Sequence, residues 1–446
     1  EVMEKKARQE FEEKIKTTSF VPKLHIEEEK PAGEKTTSQT KFHVRKIHLE
    51  GNTLIPPEDL SAFLSALEER EHSLDDLNAI CKQLEAEYQK RGFVAVVYMP
   101  PQRLETQEVT LRAVISKLGD VHLEGARYFR ESQTLSYWRI PKGDYLRYKE
   151  IRSNVLRMNE NPDRAVKVLL RPGKEPGVTD VYLEEEDRPP FHNGFSLDNQ
   201  GAKLTGKYRP GFNIRHNNFT GHDDLFFASS SFGSEVGMLY LYHLLPLVDW
   251  DMRLATHFSY AQVAPKKEFS DLHYNGLSAD YGFQIRRWIF KRDNAMLDGY
   301  AGFTFNEKRT RALGAVIGRD RLRVSSFGID FQSADEQGTW ELGESWSFGL
   351  PFHDEQTALT GRQAGTSFSK FNVQLKRHQK LPWNTHGVVN VRGQWTPDAL
   401  TSQEEFFLGG ANSIRGYPES DYGGDVGFLT NLEYWVSPYF LPESWK

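Results

Sequence analysis

The residues best placed to do chemistry in this chain lie in a glycine-rich stretch, Phe406 to Pro418, that carries one cation. Gly409, Gly410 and Gly416 can take backbone angles closed to other residues, so the stretch can fold back tightly on itself. Arg415 is the only charge in that fold-back and needs a carboxylate wherever water is scarce. Ser413, Ile414 and Tyr417 complete the motif. A phosphate cradle would need a following Gly-Lys-Ser/Thr and a strand-to-helix transition, and neither is present. His222 with Asp223 and Asp224, and His353 with Asp354, could be drawn as metal ligands. Both groups fall in expected turns, among solvating residues, without helical i, i+4 partners such as His-Glu-x-x-His. No Gly-x-Ser-x-Gly elbow occurs. The expectation is a protein without catalysis, without a cofactor and without a bound metal. The lone Cys81 rules out an intramolecular disulfide framework and sits at an apolar helix position, where a buried thiol is the natural reading.

The elements that must position these residues show first in the composition. Apolar residues are 38% and mean hydropathy is −0.61, and no run approaches the ~18 apolar residues of a spanning helix. Yet aromatics reach 13%, with 29 Phe, 18 Tyr and 9 Trp. A polar average rich in aromatics fits a membrane β-barrel, whose strands face lipid and water alternately between aromatic girdles. A net charge of −6 gives no support for nucleic-acid binding. With neither an initiator Met nor a signal-like apolar segment, the chain reads as a mature or trimmed product.

Along the chain, Met3, Ala7, Phe11 and Ile15 give residues 1–16 a thin apolar helical stripe, suited to a lid, a plug or a solvated helix. Residues 17–40 are polar and aperiodic and read as a flexible linker. Residues 41–115 read as strand, helix, helix, strand, strand. The first strand holds Phe42, Val44, Ile47 and Leu49, and a short helix follows Pro56-Pro57. The main helix is capped by Ser73 with Asp76, striped by Leu74, Leu77, Ile80, Cys81, Leu84 and Tyr88, and stopped by Gly92. Val94 to Tyr98 and Val109 to Ile115 are the closing strands.

Residues 116–190 repeat that order, with Val121-His-Leu-Glu-Gly125 echoing Ile47-His-Leu-Glu-Gly51. A helix is expected near Tyr148 to Met158, then strands Ala165 to Leu170 and Val178 to Leu183 around a Pro-Gly turn. After Pro189-Pro190 helical periodicity gives way to period-two alternation in about twelve segments. Leu254, Thr256 and Phe258 alternate with Ala255, His257 and Ser259, for example. A soluble sandwich also alternates, but the single long run of strands and the aromatics near strand ends favour the membrane wall.

These motifs carry a family resemblance. The chain resembles the outer-membrane transporters of two-partner secretion, the haemolysin- and haemagglutinin-exporting branch of the BamA-like superfamily. The α+β repeats look like POTRA (polypeptide-transport-associated) domains. The first, 41–115, carries Ile-x-Leu-x-Gly-Asn at 47–52, Tyr88-x-x-x-Gly92-Phe93 and Pro100-Pro101-Gln102. The second, 116–190, carries Leu156 with Asn161-Pro162, and Arg171-Pro172-Gly173 with Pro176-Gly177 and Thr179-Asp180. Residues 409–417 resemble the family's Gly-Gly-x-x-Ser-Val-Arg-Gly-Tyr, with Ile414 replacing Val.

The resemblance implies an N-terminal plug helix, two periplasmic POTRA domains and, over 191–446, an antiparallel transmembrane β-barrel in the outer membrane. It also implies a monomer that passes an unfolded exoprotein from periplasm to cell surface. A BamA-like factor inserting barrel proteins is the alternative, and a passive pore is a third reading. The family's barrel has about sixteen strands, and about four of them, including the one bearing the loop arginine's acidic partner, are expected to lie beyond this sequence. Glu433, on the last strand present, is the fallback partner. Gly51, Gly92 and Gly177 read first as turn formers, and Pro101 as a strand end.

Overall fold

The computed structural model describes residues 26–28 (backbone), 41–102, 107–175, 177–199, 206–247, 251–265, 271–292, 294–351, 364–383, 385–410, 412–418 and 420–436. The expected helix over 1–16 and the pair His353-Asp354 lie outside the described residues. The chain divides at Pro189/Pro190 into two compact units.

The first unit holds both α+β repeats. Its elements are β1 (Ile26–Glu28), β2 (Phe42–Val44), β3 (Lys46–Glu50), α1 (Pro57–Ser65), β4 (Arg70–His72), α2 (Leu74–Lys90), β5 (Ala95–Tyr98) and β6 (Glu108–Ile115). The second repeat adds β7 (Lys117–Glu124), α3 (Glu131–Leu135), α4 (Tyr148–Met158), β8 (Arg164–Pro172) and β9 (Val178–Asp187). In the first repeat β6 pairs parallel with β3 and antiparallel with β5. The expected single strand from Phe42 to Leu49 breaks at Arg45, whose N–H donates to the Gln107 carbonyl at 2.7 Å. Its first half pairs instead with β4, a strand that the pattern of three residues could not announce. The apolar face of α2 (Leu77, Ile80, Cys81, Leu84, Tyr88) packs on Val97, Val109 and Leu111 of the sheet. Ser73 Oγ accepts from the Asp76 N–H at 3.2 Å while the Asp76 carboxylate accepts from the Ser73 N–H at 2.8 Å, a complete capping box.

The internal repeat is physical as well as textual. Gly51 (φ +77°) and Gly125 (φ +92°) both follow the His-Leu-Glu strand, and a Cβ on either would lie 2.3 Å from a strand carbonyl, Ala113 or Glu185. Only glycine fits both constraints. The two repeats are stitched together by backbone bonds, among them Val94 N–H to Leu146 O (3.1 Å), Ser116 N–H to Val94 O (2.9 Å) and Tyr148 N–H to Gly92 O (3.0 Å). The second repeat's sheet runs β1-β8-β9-β7. Within the stretch read as linker, Ile26–Glu28 therefore lies parallel to β8, with Ile26 opposite Val168.

The second unit is a twelve-stranded sheet of sequential antiparallel neighbours. Its strands are β10 (Phe191–Asp198), β11 (Arg209–His216), β12 (Leu225–Phe232), β13 (Val236–Leu247), β14 (Met252–Val263), β15 (Asn275–Lys291) and β16 (Ala295–Ala312). They continue with β17 (Ala315–Asp335), β18 (Gly338–Gly349), β19 (Phe368–Leu381), β20 (Thr385–Trp395) and the final strand β23 (Gly427–Val436). A small hairpin, β21 (Phe406–Leu408) with β22 (Tyr422–Gly424), interrupts the order between β20 and β23. Among the described residues β10 and β23 each have one hydrogen-bonded neighbour.

The two faces of this sheet are inverted relative to a soluble protein. Phe195, Tyr281, Phe283, Ile285, Phe327 and Leu432 are exposed, whereas His257, Ser259, Asp298, Lys370, Arg377 and Gln394 are buried. An exposed apolar face of this extent would aggregate in water and is stable against hydrocarbon. No helix among the described residues is long and apolar enough to cross a membrane, a test that does not bear on strands.

Candidate functional site: the lumen and its inward loop

The inner face of the wall carries paired charges. Arg253 on β14 reaches Asp298 on β16 at 2.7 Å, and Arg286 on β15 bridges Asp298 (2.8 Å) to Asp330 on β17 (2.5 Å). The Arg253 guanidinium stacks 3.8 Å from the Trp288 ring centroid. These groups border a cavity of about 450 Å³ whose other wall includes Lys370, Gln394, Phe406 and Gly409. Period-two alternation explains the arrangement, because each lumen charge is flanked in sequence by residues that point outward.

Residues 396–426, between β20 and β23, fold back onto this inner face. Leu400 closes a small apolar cluster with Leu322, Val324 and Phe368. The Asp398 carboxylate accepts from the Ser369 N–H at 2.7 Å. The strongest tether is Glu404. Its carboxylate pairs with the Lys370 ammonium on β19, and both side chains are only 10% exposed. The Glu404 carbonyl accepts from Lys370 Nζ (3.1 Å) and from Gln394 Nε2 on β20 (2.9 Å). Asn306 on β16 donates to the same carboxylate at 3.4 Å, and Lys308 donates to Ser402 Oγ at 2.7 Å. Three wall strands thus converge on one loop residue.

Beyond this anchor the motif makes its turn. Gly409 has φ +111°, and a Cβ there would lie 2.3 Å from the Pro418 carbonyl. Its N–H donates to Ser413 Oγ at 2.7 Å, and the Gly410 N–H donates to the Tyr417 carbonyl at 3.2 Å. Gly416 also takes a positive φ. The turn presents Ile414 and Tyr417 as exposed side chains. Arg415 reaches the Glu433 carboxylate on β23, which also accepts from Trp435 Nε1 at 3.0 Å. Arg415 is 70% exposed and Glu433 25%, so this contact is far wetter than the Lys370–Glu404 pair.

Sequence reasoning singled out the motif and missed Lys370, Glu404 and Gln394. Glu404 stands five residues before Gly409, and its partner lies 34 residues upstream on another strand. Only its place just ahead of the apolar Phe406-Phe-Leu408 could have drawn attention to it.

The other candidate residues fall elsewhere. Tyr88 donates from its buried hydroxyl to Asn52 Oδ1 at 2.9 Å, joining the Gly51-Asn52 turn to the Tyr88-to-Gly92 end of α2. Gln102 mimics a strand residue, exchanging two 2.8 Å bonds with Thr110. Gly173 donates to the Val178 carbonyl at 2.8 Å, and Gly177 accepts from the Lys117 N–H at 2.9 Å at the start of the second repeat. Pro101 and Pro172 are exposed. In the 217–224 turn, Asp224 accepts from His243 (2.7 Å) and the Thr220 N–H (2.8 Å), while His222 pairs with Thr220. Among the described residues no group of three or more His, Cys, Asp or Glu is placed to hold a metal.

An inverted wall with a loop tucked against its polar face, preceded by two α+β repeats, defines a narrow comparison class. The profile of the family described as haemolysin secretion/activation protein ShlB/FhaC/HecB matches residues 177–444. The chain belongs to that family. A ShlB-type POTRA domain profile matches residues 42–115. The heme/hemopexin transporter protein HuxB of Haemophilus influenzae strain 86-028NP is 23% identical over 419 residues, covering 91% of this chain and 73% of its own length. The outer membrane transporter CdiB of Dickeya dadantii strain 3937 is 22% identical over 417 residues, covering 90% and 73%. Among solved structures, CdiB from Escherichia coli superposes with a TM-score of 0.69 at 18% identity, covering 99% of this chain and 84% of that one. The chain is an outer-membrane transporter of the two-partner secretion type, with periplasmic POTRA domains ahead of a transmembrane β-sheet wall.

Proposed function

We propose that this transporter captures an unfolded exoprotein at the β8 edge of the second POTRA domain and passes it along the polar inner face of the wall. The observation that carries this reading is β1, an extended segment already added in parallel to that edge. Strand addition uses main-chain bonds, so it tolerates varied client sequence and releases readily. The first POTRA domain is less inviting. At its β5 edge the Val97 N–H is taken by Glu85 (2.9 Å), and at its β3 edge the Ile47 N–H is taken by Glu68 (3.1 Å). Edges blocked by carboxylates resist pairing. In the resting state residues 26–28 occupy the client's place, and a client strand must displace them.

The wall then offers a path along which arginine and aspartate are paired, Arg253 and Arg286 with Asp298 and Asp330. The loop 396–426 narrows that path, with Lys370–Glu404 as its anchor and Arg415–Glu433 as its outer contact. No step of this passage calls for catalysis, a cofactor or nucleic acid. The protein acts as a monomer in outer-membrane lipid, and folding of the client outside supplies the direction.

The test is competition at β8. A reporter exoprotein of the two-partner type is co-expressed with the transporter in a secretion-negative Gram-negative host. Replacing Ile26–Glu28 by Gly-Ser-Gly should speed client association with the purified transporter. Leu169→Pro, which damages the β8 ladder, should depress secretion. Unchanged association and unchanged secretion in both variants would remove β8 from the pathway.

A further inference from the structure

The outer face of the β16–β17 hairpin carries a second feature, unrelated to the lumen. On β16 the even-numbered residues Asp298, Asn306 and Lys308 address the inner face and its loop, so Phe303, Phe305, Glu307, Arg309 and Arg311 face outward. On β17 the buried Leu322 and Val324 face inward, and Arg319, Arg321, Arg323 and Phe327 face outward. Five guanidinium groups therefore stand on one patch of the lipid side, and among the described residues Glu307 is the carboxylate paired with them.

The register makes this patch unfavourable as it stands. Arg309 lies directly opposite Arg319, and Glu307 directly opposite Arg321. Like charges directly opposite on a sheet repel. Glu307 serves two of the arginines, at 3.1 Å from Arg319 and 3.8 Å from Arg321. Among the described residues Arg309 and Arg311 have no ion pair. Among the described residues the strand ladder on the far side starts only at Val324, opposite Gly349.

Position along the wall identifies the environment. β10 begins where the POTRA unit ends, so its first residue stands at the periplasmic side. β16 is six strands on, runs in the same direction, and therefore reaches its outer end at Ala312. From Leu297 to Phe305 the outward residues of β16 are apolar or glycine. Eight residues span roughly 26 Å of strand, or roughly 20 Å of height at a tilt of about 40°, comparable with the ~25 Å apolar band of outer-membrane walls. Phe305 closes the band, stacked on Tyr281 (4.9 Å) and edge-on to Phe303 (4.8 Å), with the Arg323 guanidinium over its ring at 4.8 Å. The arginines begin at that belt and continue outward from it, at headgroup height in the outer leaflet.

We infer that this arginine patch is a binding site for a phosphorylated glycolipid of the outer leaflet, a lipid A-type headgroup whose acyl chains lie on the Phe303–Phe305–Phe327 surface. Guanidinium groups match phosphate oxygens in paired, charge-assisted bonds. A phosphate between Arg309 and Arg319 converts their repulsion into attraction. An acidic client segment does not fit the site as well, because clients travel on the opposite face.

The experiment uses the full-length transporter, delipidated in detergent and titrated with bisphosphorylated lipid A by native mass spectrometry and by thermal shift. The comparison variants are Arg309→Ser/Arg311→Ser/Arg319→Ser and, on the same outer face near the periplasmic end, Arg287→Ser. Loss of three charges beside an anionic lipid surface predicts about 100-fold weaker binding by the triple variant. Arg287→Ser should bind as wild type does, and dephosphorylated lipid A and inorganic phosphate should bind neither protein measurably. If the triple variant fails to fold, judged by heat-modifiable gel migration, the exposed Arg311→Ser alone should weaken binding by about five-fold. Equal binding by wild type and the arginine variants, or equally tight binding of phosphatidylglycerol, would overturn the site.

Discussion

Removing the Lys370 ammonium is the most discriminating perturbation of the inward loop. Lys370 and Glu404 are each about nine-tenths buried, and the ammonium also serves the Glu404 carbonyl. Taking away one member of a buried pair leaves the other charge desolvated and uncompensated, at a cost of about 3–5 kcal/mol. Here the lower figure applies, because the lumen is polar and Asn306 and Gln394 still contact Glu404. A shift of about 3 kcal/mol changes the ratio of docked to released loop by a factor on the order of 10². Leu400, buried in its apolar cluster, opposes release by about 1.5–3 kcal/mol, so the loop of Lys370→Met is loosened but not free.

The assay is maleimide labelling of Thr401→Cys, a buried loop position, in transporter reconstituted in bilayers, together with ion conductance. Background from Cys81 is low, because burial pushes its thiol up to about 11 and the thiolate is the reactive species. Lys370→Met and Glu404→Gln should each accelerate labelling by ten-fold or more and raise conductance. The double variant should fall well short of the sum of the two, since it leaves no unpaired charge. Labelling and conductance equal to wild type in both single variants would refute the assignment of this pair as the loop's anchor.

Three further outcomes are expected. Arg415→Glu should lower export of a reporter exoprotein, and adding Glu433→Arg should restore at least half of the loss; no restoration would separate the two residues functionally. Tyr88→Phe removes a hydrogen bond to Asn52 without changing the packed ring and should cost about 1 kcal/mol in the unfolding free energy of the POTRA unit, read by denaturant titration. The Ser73 backbone N–H, followed by the Ser73 hydroxyl, holds the Asp76 carboxyl below its ordinary value of 3.8. Stability from that group is therefore present above pH 3.8 and lost as pH falls through the lower folded value. Amide protection of the first turn of α2 should fall below about pH 4, and Asp76→Asn should abolish that dependence.

Local chemistry made much of this protein legible from its residues alone. Ser73 and Asp76 announced the start of α2 because a capping box is satisfied within four residues. The His-Leu-Glu-Gly repeat marked two copies of one unit because only glycine can turn against the neighbouring strand's carbonyl. Alternation along β14, β16 and β23 revealed a wall with one apolar and one polar face, since a strand's period of two is a property of the backbone. The glycine motif around Arg415 was visible for the same reason: positive φ is bound to residue type.

What tertiary structure decided is everything that depends on register between distant segments. The splitting of Phe42–Leu49 into β2 and β3 followed from a carbonyl at Gln107. The docking of Ile26–Glu28 on β8 rested on main-chain bonds that leave no mark in side-chain type. Lys370 and Glu404 were ordinary charged residues until β19 and the loop met. No local motif marked the outer arginines, and only the strand pairing set Arg309 against Arg319. Short-range constraints are written in neighbouring residues, whereas which charges share a low-dielectric space is fixed only when the sheet closes distances that the chain itself does not.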